Sequence, residues 1–243
     1  MSPVAVLADL DAVANAAADD FITRARRAIK HHGEFHVALS GGSTPKRLFE
    51  VLVARGHDAV PWDQIVLWWG DERCVPPDHP DSNYGMAARL LIEPLGLDAK
   101  RVHRMEGERE PEAAARDYEA ALCSALGSPP ILDLVLLGMG KDGHTASLFP
   151  GSPGLAERER FVIANPVDSP LTGGKTTRIT FTFTTLAAAS RTRFLVVGAD
   201  KADALAGVLE GPPDCYPSQL VTGPDVRWFV DEAAAAKLRS NHR

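Results

Sequence analysis

The sequence predicts an α/β fold built on a largely parallel sheet with helices on both faces. Three observations predict it. Short apolar runs at residues 35–39, 65–69 and 132–137 suit strands buried on both sides. Segments with apolar residues at helical spacing alternate with them. Glycine-bearing turns follow the runs, and open sheets of this kind bind ligands at the carboxyl ends of their strands.

In chain order, residues 10–31 place Leu10, Val13, Ala14, Ala17, Phe21, Ile22, Ala25 and Ile29 on one helical face, and Gly33 stops the helix. Residues 35–39 are a strand. The turn Ser40-Gly41-Gly42-Ser43-Thr44-Pro45 follows, with Pro45 suited to the first turn of a helix that carries Leu48, Val51 and Leu52. Residues 65–69 form a second strand, ending at Gly70-Asp71-Glu72-Arg73. A loop spans 75–83, and helical patterns follow near 84–92 and 111–126. Residues 132–137 form a third strand, ending in Gly138-Met139-Gly140-Lys141-Asp142-Gly143-His144. Residues 161–165 and 178–183 add strands, with Arg178 at the start of the second. A strand at 194–197 leads to Gly198 and a helix from about 200 to 209. A strand at 226–230 precedes a C-terminal helix. Gly173-Gly174 and Pro212-Pro213 read as loops. No linker, repeat or low-complexity tract divides the chain, so residues 1–243 are expected to form one domain.

Hydrophobic residues make up 45% of the 243 and charged residues 24%, which are the proportions of a globular protein and not of a disordered one. At this size folding buries about 70% of the unfolded surface, enough for a core without staples. Lys plus Arg number 26 against 32 Asp plus Glu, a net charge of −6. That excludes sequence-blind nucleic-acid binding as the main task and leaves room for a local basic pocket. Cys74, Cys123 and Cys215 have neither disulfide nor zinc-ligand spacing and read as idle thiols. No apolar run approaches the roughly 18 residues of a membrane span. The alanine-rich, acidic N-terminal stretch lacks the basic region of a signal peptide. A cytoplasmic protein with neither membrane nor nucleic-acid partner is expected. Nothing in the pattern sets an oligomeric state.

The chemistry-bearing residues lie in the turns. Gly41 and Gly42 let a ligand approach the backbone, and the helix start beyond them turns amides outward, with Ser43 and Thr44 adding hydroxyl donors. The turn is a phosphate cradle or a plain strand–helix connection; it is neither a dinucleotide fingerprint nor a P-loop. At 71–73, Asp71 suits sugar hydroxyls and Arg73 forks onto phosphate, or the group is a solvated ion pair. The third turn is the sharpest signal. Its three glycines free the backbone and leave amides for an oxyanion. His144 is the natural general base, because histidine ordinarily titrates near neutrality. A helix starting just after it would disfavour imidazolium. Asp142 orients His144 or binds a substrate hydroxyl. The other histidines, His31, His32, His36, His57, His79, His103 and His242, read as structural or solvated. Arg178 and Lys201 complete the set; a lysine in a first helical turn opposes the dipole unless an anion is near, or it is simply solvated. No GxSxG elbow marks a nucleophile, and nothing marks Ser147 as activated.

On these residues the chain resembles the 6-phosphogluconolactonase family over nearly its whole length. The carriers are Leu39 through Pro45, Trp69 through Pro76 with Ser82-Asn83-Tyr84, and Leu137 through Pro150. Arg178-Ile179-Thr180 and Gly198 through Lys201 fit the later motifs. The resemblance implies a Rossmann-like fold shared with glucosamine-6-phosphate deaminase and ribose-5-phosphate isomerase. It implies hydrolysis of 6-phospho-D-glucono-1,5-lactone in the pentose phosphate pathway without metal or cofactor. His144 and Asp142 would be catalytic. Gly41, Gly42, Ser43, Asp71, Arg73, Arg178 and Lys201 would bind the substrate and its phosphate. The alternatives are a sugar-phosphate isomerase or deaminase of the same superfamily and a non-catalytic sugar-phosphate sensor. The deaminase follows its Asp-Gly-His with a run ending in Asn-Glu-Pro, whereas here Thr-Ala-Ser-Leu-Phe-Pro follows His144. The sensor carries a DNA-binding segment, and no spare residues for a helix-turn-helix are expected before the first strand.

Overall fold

A computed structural model describes residues 3–239; Met1, Ser2 and His242 lie outside the described residues. The strands are β1 (Val4–Leu7), β2 (Phe35–Leu39), β3 (Ile65–Trp69), β4 (Asp71–Arg73), β5 (Leu134–Leu137), β6 (Val162–Ser169), β7 (Gly174–Phe181), β8 (Thr192–Val196) and β9 (Val226–Asp231). The α-helices are α1 (Leu10–His32), α2 (Ser43–Arg55), α3 (Asn83–Ala87), α4 (Pro111–Leu126), α5 (Phe183–Ala188) and α6 (Ala202–Glu210).

Six strands form one parallel sheet in the order β1-β9-β8-β5-β2-β3. Each face buries its own set of side chains. Phe35, Val37 and Leu39 of β2 pack with Phe21 of α1 and Leu48 of α2, while Ala38 joins the cluster of Tyr118 and Leu122 of α4. This alternation across a continuous apolar strand is the two-sided burial expected from sequence, and each fully buried Leu or Phe contributes about 1.5–3 kcal/mol. Helix α1 is bounded as its residues dictate. The Asp9 carboxylate accepts from the Ala12 amide at 2.8 Å, and Gly33 closes the last turn.

From β2 the chain steps outward to β3, then returns to β5 on the other side of β2 and continues toward β8 and β9. The direction reverses between β2 and β5, so the loops after these strands part and leave a crevice.

A second sheet lies beside the first, antiparallel, in the order β4-β7-β6. The strands expected at 161–165 and 178–183 fall in this second sheet. Only the short turn Pro170–Thr172 and Gly173 join β6 to β7, and a parallel pair needs a crossover of a dozen or more residues. Arg178 lies within β7, not at its start, in register with Arg73 of β4. Phe183 opens α5 and does not extend the strand. The 84–92 pattern divides into α3 and a π turn at Ala88–Ile92. The C-terminal helix is only the 3₁₀ turn Ala234–Lys237 among the described residues. The expected 200–209 helix begins as a 3₁₀ turn, Ala199–Lys201. No helix among the described residues is long and apolar enough to cross a membrane.

Candidate active site

The turns after β2, β5 and β8 meet side chains of β4 around one cavity of about 230 Å³ at the crevice. Of the residues expected from sequence, Gly41, Gly42, Asp71, Arg73, His144 and Lys201 line it. Asp142 stands behind His144, and Arg178 lies beside Arg73 across the strand pair. Ser43 is exposed and supplies the first residue of α2, not a cavity wall. Ser40, Asn83, Met139 and Ala146 also line the cavity, and the sequence reading assigned none of them a role. A roomier hollow of about 430 Å³ beside α4 gathers none of these groups. Chemistry, not volume, selects the site.

The turn from Gly138 to Phe149 is bound to itself and to the second sheet. The Gly140 amide donates to the His144 carbonyl at 2.9 Å, and the Gly143 amide to the Gly140 carbonyl at 3.0 Å. The Thr145 hydroxyl donates to the Gly138 carbonyl at 2.8 Å. Thr145 and Leu148 form an antiparallel bridge, so the helix expected after His144 is absent and its dipole plays no part. The amides of Gly140 and Gly143 are likewise spent inside the turn and do not serve an oxyanion. Ala146 holds φ at 46°, a crowded conformation that its neighbours enforce. The Ser147 amide donates to the Thr180 hydroxyl of β7, and Asn165 of β6 donates to the Ser147 carbonyl at 2.8 Å.

The result is a fixed imidazole. His144 Nδ1 lies 2.6 Å from Asp142 Oδ1, and the ring stacks on Phe149 with centroids 3.9 Å apart. Burial pushes the Asp142 carboxyl up, but the hydrogen bond and charge of His144 and the His144 amide outweigh it and hold it below the usual range. An ionised Asp142 accepts only, so Nδ1 of neutral His144 carries the proton and Nε2 presents a lone pair. Gly140 is required by close approach. A β-carbon there would lie 2.1 Å from His144 Nδ1 and 2.6 Å from Asp142 Oδ1.

The facing wall is made by strand side chains. Asp71 accepts from the Ser147 hydroxyl at 2.7 Å and from the Asn83 side-chain amide at 3.2 Å. Glu72 turns away from the cavity. Only 2% exposed, it accepts from the Arg73, Asn83 and Tyr84 amides and the Ser82 hydroxyl and so anchors the start of α3. Burial pushes its carboxyl up, and those amides pull it down.

Arg73 and Arg178 sit opposite each other in register, an arrangement that is repulsive by itself. Burial, then the neighbouring Arg73, pushes the Arg178 guanidinium down, with Asp71 opposing. The Nε atoms of both arginines and the Ser40 hydroxyl are buried without a protein partner. Lys201 enters from the turn after β8, and Gly42 offers no side chain to cap α2. Uncapped amides, two arginines and a lysine make a cradle for a doubly charged oxyanion. Among the described residues no three His, Cys, Asp or Glu side chains gather as a metal-ligand set.

The other histidines within the described residues lie elsewhere. His36, for example, faces the indole N–H of Trp68 at 3.2 Å, and His32 pairs with Asp133. Cys74, Cys123 and Cys215 are free thiols.

Known proteins are similar to this chain in sequence and fold. Residues 8–229 match the family described as glucosamine-6-phosphate isomerases/6-phosphogluconolactonase. A 6-phosphogluconolactonase of Nostoc sp. is 42% identical over 97% of this chain and 98% of its own. One from Haemophilus influenzae is 37% identical over 84% of this chain and 87% of its own. The solved 6-phosphogluconolactonase from Trypanosoma cruzi is 28% identical, with a TM-score of 0.87 over 98% of this chain and 97% of that one. Fold, site and similarity over nearly the full length agree, and the chain belongs to the glucosamine-6-phosphate isomerase/6-phosphogluconolactonase family.

Proposed function

We infer that the protein hydrolyses 6-phospho-D-glucono-1,5-lactone to 6-phospho-D-gluconate, the lactone-opening step of the pentose phosphate pathway, with His144 as general base. The observation that carries the mechanism is the His144–Asp142 pair at 2.6 Å, with His144 lining a cavity that Arg73 and Lys201 also line.

His144 Nε2 takes a proton from water as the hydroxide bonds to C1 of the lactone. Asp142 steadies the imidazolium that forms. The carbonyl electron pair moves onto oxygen, and the positive field of the cavity as a whole offsets the new charge. As the pair returns, the bond from C1 to the ring oxygen breaks and Nε2 delivers its proton there. Water is consumed, and the histidine ends as it began. Arg73, Arg178 and Lys201, with the amides after Gly41 and Gly42, hold the phosphate. Asp71 accepts from a sugar hydroxyl. The cytoplasm, where phosphorylated sugars are retained, is the setting that suits this substrate.

The same family includes deaminases, but no carboxylate occurs between His144 and Glu157 to assist ring opening. Parallel assays decide between them. Purified protein should open the phosphorylated lactone well above its spontaneous rate and release no ammonia from glucosamine 6-phosphate. Ammonia release without lactone hydrolysis would refute the lactonase reading.

A further inference from the structure

Asp231 ends β9, one strand away from any residue assigned to the substrate, and is only 6% exposed. A buried carboxylate is costly unless it is paired or fully hydrogen-bonded. No cation pairs with it among the described ion pairs. Instead it accepts from the Gly198 amide with both oxygens, at 3.0 and 3.2 Å, and from the Ala234 amide at 2.7 Å.

Gly198 is the residue on which the chain leaves β8 and turns into the site. Its φ of 105° lies outside the range open to side chains at low cost. Its carbonyl accepts from the Lys201 amide at 3.0 Å, closing the 3₁₀ turn Ala199–Lys201. Lys201 then reaches the cavity, where its ammonium lies 3.2 Å from the largely exposed Asp200 carboxylate. One carboxylate thus fixes the first residue of a turn whose last residue carries a site cation. Lys201 has a long, rotamer-rich stem, so the origin of that stem decides how often the ammonium is in place.

We propose that Asp231 is a positioning residue for phosphate recognition: it clamps Gly198 so that the turn after β8 presents Lys201 to the phosphate end of the substrate. This rests on the assignment of Lys201 to phosphate binding above. A neutral cap would satisfy the same amides more weakly. The carboxylate takes two N–H donors at once, Gly198 with both oxygens and Ala234 with one, and hydrogen bonds to charged groups are the stronger ones.

The test is a cycle of Asp231→Ala, Lys201→Ala and the double variant, with Asp231→Asn as the conservative change. Each is assayed on the phosphorylated lactone and on unphosphorylated gluconolactone, below its melting temperature. Asp231→Ala is expected to raise KM for the phosphorylated lactone by about tenfold, with kcat and the gluconolactone parameters nearly unchanged. Asp231→Asn, which keeps an acceptor for Gly198, should recover part of that loss. The double variant should be no worse than Lys201→Ala. Multiplying effects in the double variant, or equal losses on both lactones from Asp231→Ala, would overturn the positioning role. A Lys201→Ala variant that hurts both lactones equally would instead sink the phosphate assignment. The cycle would then still show whether Asp231 acts through Lys201.

Discussion

The two sheets solve different problems, and the site lies on their seam. The parallel sheet is held by apolar burial on both faces, and it contributes to the site through the turns that follow β2, β5 and β8. The small antiparallel sheet contributes through strand side chains themselves, Asp71 and Arg73 on β4 and Arg178 on β7. Its apolar residues, such as Val162, Ile179 and Phe181, pack into the core, but it also buries polar side chains: Asn165 of β6 and Thr180 of β7 are fully buried. The parallel sheet sets where the crevice is. The second sheet holds the turn that carries His144 within it, through Thr180 to Ser147, Asn165 to Ser147 and Ser147 to Asp71. Stability and geometry are thus divided between the two regions.

The largest expected effect falls on the turn that both regions hold. His144→Ala should lower turnover by about 10²–10⁴-fold with little change in substrate binding. Steady-state kinetics on a folded variant checks this. Near-normal turnover would remove His144 from the base role and leave the convergence of the two sheets without a purpose.

A matched pair of core changes sharpens the contrast itself. Leu136 of β5 is 1% exposed in the apolar sheet, and Leu136→Ala should cost about 2–5 kcal/mol of stability. Below its melting temperature that variant should retain its kcat. Asn165 bridges Ser147, Ser152 and Gly154, and Asn165→Ala should cost less, about 1–3 kcal/mol. Yet it should lower kcat, because it frees the turn carrying His144. Denaturant titration and kinetics on both variants give the comparison. An Asn165 variant with intact kcat would mean that the second sheet is merely structural.

Arg73→Ala should weaken binding of phosphorylated lactone by about ten- to a hundredfold, with far less effect on gluconolactone. Equal losses on both would show that the strand-borne guanidinium does not read phosphate. Arg73→Lys should recover only part, since an ammonium lacks the planar fork.

The parallel region was legible because its strands are apolar throughout and its turns are marked by glycine. Residues 35–39 and 65–69 are strands with those very limits, and His144 and Lys201 follow strands as read, whereas Arg73 lies within β4. The second sheet was not legible. β4 is three charged or acidic residues long and has no periodicity to detect. β6 and β7 read as strands, but their partner is set by the short turn at 170–173 and by β4, which is a tertiary matter. β1 is a four-residue half-buried edge strand, too short to stand out. Asn83 was read as the end of the 75–83 loop, and its contact with Asp71, twelve residues back in sequence, exists only in the fold. His144 was read in the glycine-rich turn after a strand, and it lines the cavity from that turn. The ring is governed by Asp142 and Phe149, not by a helix dipole.

The apolar sheet also buries an arginine, and it gives a pH test. Arg193 of β8 is 1% exposed and is held by Asp20 of α1 at 2.8 Å and Asp225 at 2.9 Å. Burial pushes the Asp225 carboxyl up, but its hydrogen bonds to Arg193 and Arg227 and their charges hold it below the usual range. Its folded value is therefore depressed. The stability it contributes is present above the ordinary carboxylate value of about 4 and is lost as pH falls through the lower folded value. Urea titrations across that window should show stability falling with acid, and Asp225→Asn should be less stable at neutral pH with a flatter acid limb. An unchanged acid limb would show that the Arg193 tie is not what acid breaks.

The smallest expected effect is that of a chelator, and it asks whether the seam between the sheets is a metal site. The groups that would be ligands are already engaged. Asp142 faces the ring of His144, and Asp71 is taken up by Ser147 and Asn83. Both oxygens of Glu72 are occupied at the start of α3. A catalytic metal site wants about three protein ligands, and assembling them here would break the contacts that orient His144 and Asp71. An ester carbonyl attacked by water needs only a base and a positive field, and both are supplied by protein groups. Dialysis against EDTA should therefore leave kcat and KM unchanged, and added Zn²⁺, Mg²⁺ or Mn²⁺ should give no gain. Activity lost to the chelator and restored by one of these ions would reassign Asp71, Asp142 and His144 as ligands. The second sheet would then be a metal scaffold and not a brace for the turn that carries His144.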